Sequence, residues 1–182
     1  MSSTLAALRD KPFDLLVAFE RRLQEAKLDF AAGTAQFWLG LGFRLGDKWC
    51  AAPREDVREV ILPPPLTRVP GSRPWLLGVA NVRGSLLPVC DLRRLLGEEH
   101  KTLARNSRVL VYNSPRVPAG FLVDEVAGYR QFAPADQRRE LVDDSGTLAP
   151  FLLGAFVRDG QPWLALSLHK LADSEVFRHA GW

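Results

Sequence analysis

Apolar residues along this chain keep two different periods. At Phe13, Leu16, Phe19, Leu23 and Ala26 they recur every three or four positions, while Glu20, Arg21, Arg22, Gln24, Glu25 and Lys27 fill the positions between. That spacing predicts an amphipathic helix, with Asp10 as a cap, Pro12 in the first turn and Gly33 as its boundary. A helix of this length is marginal alone in water, so its apolar stripe must bury against the rest of the chain or against a partner. Deleting residues 1–33 is therefore expected to lower stability or partner binding.

Beyond Gly33 the texture changes to short runs with a period nearer two. Residues 36–45 (QFWLGLGFRL), 48–52, 57–62, 75–82, 85–90, 107–113, 119–126, 128–133 and 161–168 read as strands, and 148–157 as either a buried strand or a loop leading into one. In the run 57–62, Val57, Glu59 and Ile61 share one face while Arg58, Val60 and Leu62 share the other. Turn signals separate the runs: Gly46-Asp47, the triple proline Pro63–Pro65, Val69-Pro70-Gly71, Arg83-Gly84 and Arg158-Asp159-Gly160. The tail from His169 onward predicts a closing helix with Leu171 and Val176 facing inward. Turns every eight to twelve residues, with no long helix alternating with the strands, predict an all-β sandwich or barrel rather than a βαβ sheet. The strands fall into two clusters, about 36–90 and 107–167, joined by the charged link 91–106. The expected organisation is a helical extension over 1–33 and a β domain over 34–182, split near 34–97 and 98–172 with the closing helix running to 182.

Composition narrows the class. Of 182 residues, 47% are hydrophobic and 25% charged, as in an ordinary globular protein large enough to bury a core. The net charge of +3 is mild, and no block of like charges suggests a nucleic-acid arm. Nineteen of the 24 basic residues are arginine, the residue suited to bidentate recognition of carboxylates, although codon bias would give the same count. Two cysteines, Cys50 and Cys90, cannot make a disulfide framework and read as reduced, buried thiols. There is no apolar run long enough to span a membrane and no signal-peptide pattern at the start, so a cytoplasmic location is expected.

The chemistry of catalysis is missing. No Gly-x-Ser-x-Gly elbow, phosphate-cradling glycine loop or cysteine–histidine motif occurs. His100, His169 and His179 lack ligand spacing, so neither a metal nor a cofactor is expected. A small enzyme with a composite site would need a shared polar pocket. The tryptophans Trp38, Trp49, Trp75 and Trp163 sit inside apolar runs, where core packing is the ordinary reading. A base-stacking platform would interleave them with basic residues. The arginine richness of the chain motivates one alternative, a β-barrel nucleic-acid-binding protein.

One run, 78–97 (GVANVRGSLLPVCDLRRLLG), isolates a single arginine between two apolar stretches. Gly84 suits the positive φ of a hairpin turn there, Pro88 suits an edge or a bulge, and Asp91 can cap a short helix over 92–96 that Gly97 ends. Arg83 is thereby presented on a loop held by strands. It can serve in a structural ion pair, as an interface anchor, or as both.

These residues resemble the CheW-like adaptor domain of bacterial chemosensory systems. The likeness rests on Val57-x-Glu59-Val60, Gly78-Val79-x-Asn81-Val82-Arg83-Gly84, Pro88-Val89 and Asp91-Leu92-Arg93, then GFLVDEV at 120–126 and the closing strands, and it covers about 35–172. Trp49–Pro53, Val69–Gly71 and the Ala-Asn-Val-Arg-Gly form are similar to the branch serving type IV pilus twitching motility. The resemblance implies two small five-stranded β-barrels side by side and a non-enzymatic scaffold. Its partners would be the cytoplasmic tip of a methyl-accepting chemoreceptor and the regulatory domain of a CheA-like histidine kinase, with the chain in the cytoplasm and recruited to membrane-associated receptor arrays. Carried over by position, the receptor groove would be lined by Val57, Glu59, Val60, Gly78, Asn81, Arg83 and Val126, with Tyr129 standing where the family has an aliphatic residue. An exposed Val57/Val60/Val126 cluster would receive a receptor helix.

Overall fold

The computed structural model describes residues 37–99 and 103–179, so the helix expected within 1–33 lies outside the described residues. The chain divides before Trp38, and the residues from Trp38 onward form one unit. Its strands are β1 (Trp38–Leu45), β2 (Lys48–Pro53), β3 (Val57–Ile61), β4 (Leu76–Val82), β5 (Ser85–Asp91), β6 (Arg108–Tyr112), β7 (Gly120–Val123), β8 (Glu125–Phe132), β9 (Leu152–Arg158) and β10 (Gln161–Leu166). Among the described residues four short helices accompany them: α1 (Leu92–Leu95), α2 (Glu140–Asp143), α3 (Leu168–Asp173) and α4 (Glu175–Arg178).

The strands make two five-stranded sheets, ordered β8-β1-β2-β10-β9 and β3-β6-β7-β5-β4. This corrects the expected split near residue 97. The first sheet is built from both ends of the described chain, and the second from its middle. The crossings are local. Pro53 ends β2, and a single 3₁₀ turn, Arg54–Asp56, delivers β3 to the second sheet. The return happens at one residue, Asp124, between β7 and β8. Its backbone N–H donates to the Arg44 carbonyl at 3.1 Å, and its carboxylate accepts from the Gly46 amide at 2.6 Å. The run 119–126, which reads as one strand, is therefore two strands in different sheets.

Each sheet curls until its edges approach. In the second sheet, Thr67 from the loop after β3 pairs with Val79 of β4 through two backbone bonds of 2.9 Å. In the first, the Arg158 guanidinium on β9 donates to the Gln131 carbonyl on β8, and Gln137 pairs with Phe156. Three apolar cores result. A central one lies between the sheets and includes Leu41, Phe43, Cys50, Leu110, Phe121 and Leu166. The second sheet encloses Ala80, Leu87, Val89, Val109, Val111 and Leu122. The first encloses an aromatic cluster in which Phe132 stacks on Phe156 at 4.8 Å between centroids and Trp38 on Phe156 at 5.3 Å, with Trp163 edge-on to Phe132. Trp75 stacks on Phe177. These rings pack in the cores, as expected of aromatic residues inside apolar runs.

Two details depart from the sequence pattern. Ser174 interrupts the closing helix, ending α3 and capping α4 through a bond from the Phe177 amide, and the phase resets there. Leu171 is buried as expected, but Phe177 packs inward and Val176 is exposed. Pro88 lies in an inner strand, yet β7 pairs with β5 only from Val89 onward. The proline thus needs no donor on that side.

Candidate functional site

Val82 and Ser85 are the last pair of the β4–β5 ladder, leaving Arg83-Gly84 as a two-residue turn. Their φ angles are 52° and 81°, as a type I′ hairpin turn requires. Gly84 takes that conformation freely, whereas a residue with a Cβ gives up about 1–2 kcal/mol to do so. Asn81 supports the turn, its Oδ1 accepting from the Gly84 amide at 2.9 Å.

Arg83 reaches from this turn to the opposite edge of the curled sheet. Its Nη2 lies 2.7 Å from Oε2 of Glu59 on β3, and Arg58 Nη2 lies 3.6 Å from the other carboxylate oxygen. The β3–β6 pairing slips between Val57 and Glu59, a bulge of the kind that re-aims side chains. The arginine side chain stays 81% exposed while the glutamate is only 18% exposed. Glu59 thus anchors Arg83 from below and leaves the guanidinium free for a further contact. A cleft of about 420 Å³ opens here, lined by Arg58, Glu59, Val82, Arg83 and Ser85. With two guanidinium groups to one carboxylate, it suits an acidic side chain. Val60 and Leu86, next along their strands, expose apolar surface beside it.

The structure brings together only part of the expected set. Glu59, Arg83 and the supporting Asn81 meet at the turn, with Val60 exposed next to Glu59. Val57 is 8% exposed and belongs to the central core, so the expected exposed cluster of Val57, Val60 and Val126 does not form. Val57 is the inward position of β3, and the sheets close over it. Gly78 is buried too. It has φ 149°, and a Cβ there would stand 2.5 Å from the Thr67 carbonyl, so its part is to let the closing bridge form. Val126 lies on β8 opposite Phe43, half-buried against the central core. Tyr129, farther along β8, lines a different cleft of about 670 Å³ with Leu39, Arg158 and Trp163. Arg58 was not among the expected residues. Only its place beside Glu59 in the sequence could have signalled it, and the bulge that brings it to the carboxylate has no sequence mark.

Other polar groups hold the fold together. Asp91 caps α1, accepting from the Arg93 and Arg94 amides. Glu98 joins Lys48 at 3.0 Å to Arg93 at 3.4 Å, and Arg93 continues to Asp124 at 3.5 Å, tying α1 to the residue where the chain changes sheets. The Asp56 carboxylate accepts from the Leu168 amide at 2.9 Å, and Tyr112 Oη meets His169 Nδ1 at 2.7 Å, so α3 is clamped to the middle of the chain. Burial pushes the thiols of Cys50 and Cys90 up to about 12, which leaves them unreactive. A second surface is an apolar groove of about 340 Å³ whose lining includes Trp75, Val79, Pro88, Val117 and Phe177; it shares no residue with the Arg83 cleft. Among the described residues no cluster of three or more His, Cys, Asp or Glu could hold a metal, and no helix is long and apolar enough to cross a membrane.

Two curled five-stranded sheets around a shared core, with an arginine hairpin pinned to a strand glutamate, define the architecture of this domain. The chain belongs to the CheW-like domain family, whose model matches residues 39–176. It is 42% identical over 168 residues to Protein PilI of Pseudomonas aeruginosa, covering 91% of this chain and 94% of that protein. Protein FrzA of Myxococcus xanthus is 35% identical over 94 residues, 52% of this chain and 59% of FrzA. The crystal structure of the scaffolding protein TtCheW from Thermoanaerobacter tengcongensis superposes with a TM-score of 0.66 over 78% of this chain and 96% of that one, at 21% identity, a likeness of fold.

Proposed function

We propose that this chain is a non-enzymatic adaptor that couples the cytoplasmic tip of a chemoreceptor to a CheA-like histidine kinase, in the array that controls type IV pilus motility. Membership of the CheW-like family supports the adaptor role, and the similarity to PilI over nearly the whole chain supports the pilus system. The observation that carries the reading is the Arg83 hairpin. A non-glycine residue is held at φ 52°, anchored at 2.7 Å to a largely buried glutamate, and still exposes most of its side chain. Such an arginine is preorganised for a partner, because little rotamer freedom is left to lose on binding. Glu59, Val60, Asn81 and Arg83 form the receptor-facing surface in this reading. Val57, Gly78 and Val126 are buried or half-buried and line no part of its cleft, whereas Arg58 joins the rim. Tyr129 and its separate cleft stand outside it. An adaptor must hold two partners at once, and the apolar groove at Trp75 and Phe177 supplies the second surface. Residues 34–182 would be the adaptor domain and 1–33 an extension. The adaptor would lie in the cytoplasm, recruited to the membrane by its receptor.

The test is reconstitution. Purified chain, a receptor-tip fragment and the kinase regulatory domain should co-elute as a ternary complex in gel filtration. Failure to bind either partner alone would defeat the proposal.

A further inference from the structure

The apolar groove that serves the adaptor as its second surface also carries a charge requirement. Val79 and Pro88 are partners across the β4–β5 ladder. Their neighbours Ala80 and Leu87 point into the core of the second sheet, so Val79 and Pro88 turn outward, half-buried. Trp75, Phe177 and Val117 complete the lining of this cavity of about 340 Å³. The two rings are nearly buried and stacked at 5.6 Å, and Phe121 tilts against Phe177 at the same distance, so they are fixed in place. No acidic side chain of the described residues lines the groove.

Two arginines stand among the lining residues, and they differ. Arg178 is engaged, its Nη2 lying 3.3 Å from Asp173. Arg116, exposed on the loop between β6 and β7, makes no side-chain hydrogen bond or ion pair among the described residues. The loop that presents it is held on both sides. Ser114 Oγ accepts from the Arg116 and Val117 amides at 3.2 Å each, and the Tyr112 amide donates to the Ala119 carbonyl at 2.8 Å. The Asn113 amide donates to the Asp56 carbonyl at 2.9 Å, and its Nδ2 to the Glu55 carbonyl at 3.0 Å, tying the loop to the turn before β3. Pro115 and Pro118 restrict the backbone around the arginine. The groove and the root of Arg116 are thus in place before a partner arrives, which keeps the ordering cost of binding small.

We propose that this groove takes a segment of the kinase's regulatory domain that inserts a large apolar side chain and sets a carboxylate against Arg116, an inference that rests on the adaptor reading. An apolar side chain gains by leaving water for a cavity lined in this way. The partner that covers the groove also strips water from Arg116, and that cost is recovered only when an acceptor replaces the water. A carboxylate meets a guanidinium through two parallel charge-assisted bonds, whereas a neutral carbonyl offers one oxygen. A basic segment is turned away, because the lining holds no acidic group to receive it. Arg116 therefore sets the specificity of a surface whose affinity comes from its apolar lining.

The full-length protein is titrated calorimetrically with the purified kinase regulatory domain. Arg116→Glu should raise Kd about tenfold or more, and Arg116→Gln by less, as expected when a charge-assisted contact is reversed or only lost. Both variants should keep the thermal melt, since the side chain is exposed and unpaired, and both should bind the receptor-tip fragment like the wild type, since Arg116 lines no part of the Arg83 cleft. Arg130→Glu, in the Tyr129 cleft, should bind the kinase domain normally. In methyl-labelled protein saturated with the kinase domain, the Val79 and Val117 methyl resonances should shift and show cross-relaxation to apolar protons of the partner. Equal affinity of Arg116→Glu and the wild type, equal weakening by Arg116→Glu and Arg130→Glu, or unmoved Val79 and Val117 methyls in the saturated complex would overturn the proposal and leave the adaptor reading standing. No complex between the wild type and the kinase domain would defeat that reading, and this inference with it.

Discussion

Replacing Arg83 with alanine separates the two jobs this side chain can do. In the folded chain it forms an ion pair with Glu59, but at 81% exposure the guanidinium is well screened by water. Exposed pairs of this kind are worth about 0.2–1 kcal/mol. Arg58 remains within 3.6 Å of the same carboxylate, so Glu59 is not left without a counter-charge. Alanine keeps the left-handed backbone, and that strain is unchanged. The expected loss of stability is therefore about 1 kcal/mol or less, a fall of about 2–4 °C in Tm for a chain of this size. An interface anchor behaves differently: truncating a hot-spot arginine costs about 2 kcal/mol or more of binding, close to a thirtyfold rise in Kd. The assay pairs a differential scanning melt with calorimetric titration of a receptor-tip fragment. Glu59→Arg combined with Arg83→Glu adds a control, because the swap re-forms the pair with its polarity reversed. We expect the swap to recover most of the melting temperature and none of the affinity. Unchanged binding in Arg83→Ala would refute the interface role. Affinity returning with the melt in the swap would show that only the pair matters.

Gly78→Ala should destabilise by about 2 kcal/mol or more, read as a lower urea midpoint, since its φ is closed to alanine and the new methyl meets the Thr67 carbonyl. A midpoint within error of the wild type would mean the bridge at Thr67 is not needed for closure. Phe132→Ala removes a fully buried ring from the aromatic core of the first sheet and should cost about 3–5 kcal/mol, again by urea unfolding. Neither cysteine should react with a thiol reagent at pH 8 until the protein is unfolded. The thiol pKa values are raised from 9.0 to about 12 on folding, so the folded state favours the protonated form. That contribution is intact below about pH 9 and is lost as the pH rises towards about 12. A Cys50→Ala, Cys90→Ala variant should accordingly lose less stability than the wild type between pH 8 and pH 10.5.

Much of the local structure was legible because its causes are local. The alternation in 57–62, the Arg83-Gly84 and Asp159-Gly160 turns, and Asp91 as a cap for α1 each depend on a few consecutive residues, and all are present. Glu59 as the partner of Arg83 was legible only through the family pattern, since 24 positions separate them. Other features left no trace. Residues 119–126 read as one apolar strand because a residue that changes sheets needs no special composition. Asp124 does so through contacts with Gly46 and Arg93, which are far away in sequence. The parity of β3 shows that Val57 and Arg58 face opposite ways but not which face will be covered.

The sequence by itself therefore determined an all-β chain with a two-residue turn that displays one arginine, because strand period and turn chemistry are properties of neighbours. The tertiary structure alone decided three things. The sheets share the chain from its ends and its middle rather than in halves, Val57 and Gly78 are interior, and Arg58 joins Glu59 at the cleft. Each depends on which surfaces two curled sheets bury against each other, and that is fixed only when strands distant in the chain have packed.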